Sequence, residues 1–95
     1  MSVLVIGGDN INSVKTVLSD LGADNITHWD GRKNHGCGKS IPEDTDYVLM
    51  LTTFLNHNMM KKYKKIAKKE NISLVCAKRS VGSVQDEFIK AMKRA

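Results

Sequence analysis

Residues 1–10 read MSVLVIGGDN. Val3, Leu4, Val5 and Ile6 form an unbroken apolar run with three β-branched members, a composition that favours a strand. The run does not alternate with polar residues, so it predicts a strand buried on both faces, as in a parallel sheet. Gly7 and Gly8 let the backbone turn tightly or approach another group closely. Asn10 can cap a helix starting at Ile11. Strand, tight turn and helix make the opening half of an α/β unit.

Working outward, the pattern recurs. Ile11, Val14, Val17, Leu18 and Leu21 stand at helical spacing and predict a helix over residues 11–21, stopped at Gly22. Residues 25–29 suit a short strand with Ile26 and His28 on one face. Residues 47–51, YVLML, are a second buried strand, finished by Thr52 and Thr53. A helix over residues 58–70 buries Met59, Tyr63, Ile66 and Ala67. Residues 72–76, ISLVC, form another strand, with Lys78, Arg79 and Ser80 directly after it. A last helix over residues 83–93 presents Val84, Phe88 and Met92, and Ser83 and Asp86 have capping-box spacing. Residues 30–45, DGRKNHGCGKSIPEDT, are a long loop in which Pro42 disfavours helix; a hairpin and a flexible lid both fit it. The order predicts one Rossmann-like, flavodoxin-like three-layer sandwich over residues 1–95, with a four-stranded parallel sheet of order 2-1-3-4.

At 95 residues the chain is one small α/β domain, in which a face or edge of the sheet is expected to be left under-covered. Self-association into a homo-oligomer is therefore expected. The first apolar run lacks a basic leader, and no stretch reaches the roughly 20 apolar residues that span a bilayer. The expectation is a cytoplasmic protein without a membrane partner. Cys37 and Cys76 form no CxxC, and a reducing compartment disfavours pairing them. The net charge of +5 is polarised: residues 1–47 hold four Lys/Arg against seven Asp/Glu, and residues 48–95 hold eleven against three. Anions, nucleic acid and the chain's own acidic half are all partners that this pattern admits.

In such a sheet, ligands bind beyond the carboxyl ends of the strands, where the strand order reverses. Gly7, Gly8, Asp9 and Asn10 gather there, with His28, Trp29, Asp30, Gly31 and Arg32, then Thr52, Thr53, Asn56, His57 and Asn58, and finally Cys76, Lys78, Arg79 and Ser80. Gly7-Gly8 is not a GxGxxG fingerprint, and GCGKS lacks the first glycine and the preceding strand of a phosphate loop. A plain turn and an anion on the following helix N-terminus both account for the pair. His28, His35 and His57 are the three histidines. His35 and Cys37 place a nitrogen and a sulfur two residues apart, a weaker metal site with no standard spacing. Haem needs one or two axial ligands, apolar contacts and cations for its propionates. His28 and His57 are the candidate ligands, from one subunit or two. Trp29, Phe54, Met59 and Met60 can supply the contacts, and Arg32, Lys33 or Arg79 the cations. Lys61, Lys62, Lys64, Lys65, Lys68 and Lys69 lie on the helix within 59–69; they form a solvated face or a phosphate-contacting one. Cys76 next to Lys78 and Arg79 can have a lowered thiol pKa, or can be a small buried hydrophobe. No catalytic constellation is legible.

VIGGDN, HWDGRK, IPEDTDYVLMLT, the NHN before the lysine-rich helix and Lys78-Arg79-Ser80 together resemble the bacterial domain of unknown function 2325 family. The resemblance runs from Ser2 to about Ser80 and is carried by Gly7, Gly8, Asp9, His28, Trp29, Gly31, Arg32, Asn56, His57 and Arg79. It implies a Rossmann-like fold and haem binding in an oligomer, with His28 and His57 as ligands. The NHGCG insert carrying His35 and Cys37 departs from the family pattern. The functional expectation is an oligomeric module that binds haem, or another iron or metal ligand, through histidine near a subunit interface. The competing expectations are a nonspecific nucleic-acid-binding or regulatory protein-interaction module using the lysine face, and a small enzyme acting on an anionic, phosphate-containing substrate.

Overall fold

A computed structural model describes residues 1–8, 10–29, 41–55 and 57–94, with every side chain among them except that of Phe54. Its strands are β1 (Ser2–Ile6), β2 (Asn25–Trp29), β3 (Tyr47–Leu51) and β4 (Ser73–Ala77). The helices are α1 (Asn12–Asp20), α2 (His57–Lys69) and α3 (Val81–Arg94). The sheet is parallel throughout, in the order β2-β1-β3-β4, as the sequence predicts.

β1 alternates between two cores. Val3 and Val5 pack with Ile11, Val14, Leu18, Leu49, Val84 and Phe88, beneath α1 and α3. Leu4 and Ile6 pack with Ile41, Val48, Met50, Leu55 and Tyr63, beneath α2. The period of two sends neighbouring side chains to opposite faces, and both faces are covered. This explains the absence of polar alternation. β2 is an edge strand: Ile26 joins the α1/α3 core, and Trp29 joins the α2 core. His28 stands two residues from Ile26 and opposite Val5, hence on the α1/α3 face.

Helix ends follow backbone chemistry. Gly22, at φ +105°, closes α1: its N–H donates to Ser19 O (3.0 Å), and Ala23 N–H donates to Leu18 O (2.9 Å). Asn71, at φ +59°, closes α2 in the same way, through Lys68 O and Ala67 O. These are paired Schellman caps, in which glycine and asparagine tolerate the left-handed residue. Helix starts differ from the expected ones. α1 begins at Asn12, whose N–H donates to Asn10 Oδ1 (3.1 Å). α3 begins at Val81 and not at Ser83, because Ser80 Oγ accepts from Ser83 N–H (3.3 Å). The Ser83/Asp86 capping box is therefore not used. Ser83 Oγ instead accepts from Lys78 N–H (3.0 Å).

Of the 30–45 loop, only the end is described. Ile41 is buried against Leu4 and Ile6, Thr45 N–H donates to Pro42 O (3.1 Å), and Asp46 N–H donates to Ser2 O (2.8 Å). Phe88 has no exposed surface, and Tyr47 lies on its ring at 4.9 Å. Phe88→Ala is expected to cost about 3–5 kcal/mol, read from the urea unfolding midpoint.

Candidate functional site

The carboxyl ends of the strands form a rim with two chemically distinct sides. At its edge, Gly7 links β1 to β2. Its N–H donates to Trp29 O (2.7 Å), and its carbonyl accepts from His28 Nε2 (3.0 Å). A carbonyl can only accept, so Nε2 carries the hydrogen of this bond, and in the neutral ring Nδ1 then holds the lone pair. Gly7 and Gly8 are both buried, at φ +111° and +83°. The tight turn is thus required by the backbone, whatever else binds there.

The α1/α3 side of the rim holds a cavity of about 500 Å³, lined by Asn10, Ile11, Ser13, Val14, Leu51, Arg79, Ser80 and Val81. Its walls are tied across the sheet. Thr52 Oγ1 donates to Ala77 O (3.3 Å), and Thr53 Oγ1 accepts from Arg79 N–H (3.3 Å). Thr52, Thr53 and Ser80 stand at strand ends, where the sequence places the rim, whereas Ser13 lies inside the first helix and carries no such signal. The spacing Ser80-x-x-Ser83 is a signal for the cap, but the Ser83/Asp86 pair, which matches a capping box more closely, obscures it.

The α2 side is apolar and aromatic. Trp29 lies against Tyr63 with ring centroids 6.2 Å apart. Met59 and Met60, half-buried, pack on the same core. His57 is the first residue of α2 and is exposed. The expected helix start at Asn58 moves back by one residue, so His57 belongs to the helix and not to the turn. His28 and His57 both stand at carboxyl ends, but on opposite faces of the sheet. Arg79 lines the α1/α3 cavity and so lies on the face away from α2. Among the described residues, no three His, Cys, Asp or Glu side chains come together to hold a metal ion.

Asp9, Asp30, Gly31, Arg32, Lys33, His35, Cys37 and Asn56 lie outside the described residues, as does the side chain of Phe54. The weaker His35/Cys37 metal site falls there entirely. Cys76 is half-buried on the α2 face and unbridged. Burial pushes its thiol above the ordinary range; Lys64 pulls it down and Glu87 adds to the rise. Of the two readings of Cys76, the small hydrophobe is the one that fits, because Cys76 packs against the apolar core. All six lysines of α2 are exposed. No helix among the described residues is long and apolar enough to cross a membrane.

Fold and rim define a doubly wound parallel α/β protein of order 2-1-3-4, with ligand-sized space where the strand order reverses. The chain belongs to the family described as an uncharacterized protein conserved in bacteria, DUF2325, whose match covers residues 2–91. No curated protein and no solved structure matches it.

Two outcomes test this geometry. Gly7→Ala forces a side chain onto a positive φ and is expected to destabilise the protein by more than about 1 kcal/mol in urea unfolding. Iodoacetamide labelling of Cys76 at neutral pH, followed by peptide mass spectrometry, is expected to be slower in the folded protein than in the urea-unfolded chain, and to accelerate as pH rises through the elevated thiol range.

Proposed function

We propose that the protein is an oligomeric binding module that holds haem, or another iron- or metal-containing ligand, through histidine near a subunit interface. The observation that carries this reading is His57. Its exposed imidazole opens the helix that brings Met59 and Met60 to the same apolar core as Trp29. Haem requires such a donor beside apolar surface, with cations near its carboxylates. Lys61 and Lys62, exposed one turn along α2, fit the last role better than Arg79, which lies across the sheet. His28 is the second candidate, and Nδ1 is its free donor atom.

The opposite faces of the two histidines favour one ligand per subunit, or ligands from two copies, over a pair from one chain. When bound, haem supplies an iron centre for sensing, storage or transfer. The chain's part is to hold and orient it, a binding role without a catalytic step. Titration of haemin into the purified protein is expected to give a Soret band that His57→Ala weakens at least tenfold. His28→Ala, folded by circular dichroism, is expected to retain it. Wild-type binding by His57→Ala overturns this choice of ligand.

The exposed lysines of α2 favour a second reading, contact with a polyanion such as nucleic acid. A gel-shift titration is then expected to show binding that weakens steeply between low and high salt. Absence of any shift at low salt removes this reading.

A further inference from the structure

We propose that the cavity between α1 and α3 binds a small organic phosphate monoester, with its phosphate on Arg79 and its organic part on the apolar floor. At about 500 Å³ the space is of ligand size, within the roughly 300–1,000 Å³ of small-molecule sites. Its composition is divided. Ile11, Val14 and Leu51 are buried and apolar, whereas Arg79, Ser80 and Ser13 are exposed at the mouth. A guanidinium and two hydroxyls lining one cavity are suited to a phosphate, which accepts hydrogen bonds in a fork geometry. No described lining residue is acidic.

The mouth is held in place. Thr53 fixes the Arg79 backbone, and Ser80 caps α3 while Ser83 returns a bond to Lys78. These bonds fix the backbone that carries the cation before any ligand arrives. Among the described residues, neither α1 nor α3 has an acidic residue in its first turn, so the positive ends of both helices add to the attraction for an anion. The floor residue Leu51 ends β3, next to β1, where the strand order reverses. The cavity lies on the face away from His57, so it does not depend on the haem reading.

The test is calorimetric titration of the full chain with AMP, adenosine and inorganic phosphate. AMP is expected to bind at least tenfold more tightly than adenosine, and inorganic phosphate is expected to compete with it. Ser80→Asp retains an oxygen to cap Ser83 N–H but adds a negative charge at the mouth. It is expected to keep the wild-type urea midpoint and to lose AMP affinity at least tenfold. Arg79→Gln is expected to lose it similarly. Equal affinity for AMP and adenosine, no binding of either phosphate probe, or wild-type AMP affinity in both variants overturns the proposal. The haemin Soret titration is expected to be unchanged in Ser80→Asp, which separates failure here from failure of the haem reading.

Discussion

β1 pairs with β2 on one side and β3 on the other, and it carries apolar side chains into a separate core on each face. A strand enclosed in this way tolerates no slip. Moving it by one residue exchanges Val3 and Val5 with Leu4 and Ile6 between cores of different shape. Its end is therefore fixed, and so is the point where the chain must leave the sheet. Gly7 and Gly8 make that exit possible, and Gly7 also bonds to β2 through Trp29 and His28. The position of the rim follows from this constraint.

The same enclosure separates the chemistry of the two faces. A side chain that reaches the rim from one face cannot cooperate directly with one from the other. Arg79, Ser80 and Ser13 line a cavity over the α1/α3 core, while Trp29 and the two methionines pack on the α2 core, and His57 opens α2 itself. The rim thus offers two unlike surfaces, one carrying a guanidinium and hydroxyls and the other an imidazole beside aromatic and thioether side chains.

Much of this architecture was legible in the amino-acid order. The undiluted runs at Val3–Ile6 and Tyr47–Leu51 could only be interior strands, and Gly22 marked a helix end by its freedom at positive φ. Other features depend on neighbours distant in sequence. Which side of the sheet each histidine occupies required the register of β2 against β1. The start of α3 required a competition between two serine caps, which local spacing resolves wrongly. Asn71 closes α2 as Gly22 closes α1, but asparagine has too many other uses to be read as a stop in isolation. Cys76 sits beside basic residues in the chain yet among apolar ones in space, and burial outweighs the pull of Lys64.

The lysine face of α2 has a mechanical consequence. Lys61 and Lys65, Lys64 and Lys68, and Lys65 and Lys69 stand one turn apart, and like charges at that spacing oppose the helix by about 0.2–0.5 kcal/mol per pair. α2 is thus a helix at odds with itself, kept wound by the grip of Tyr63 and Ala67 on the sheet. Counter-ions relax that tension, so added salt tightens this layer of the molecule instead of loosening it.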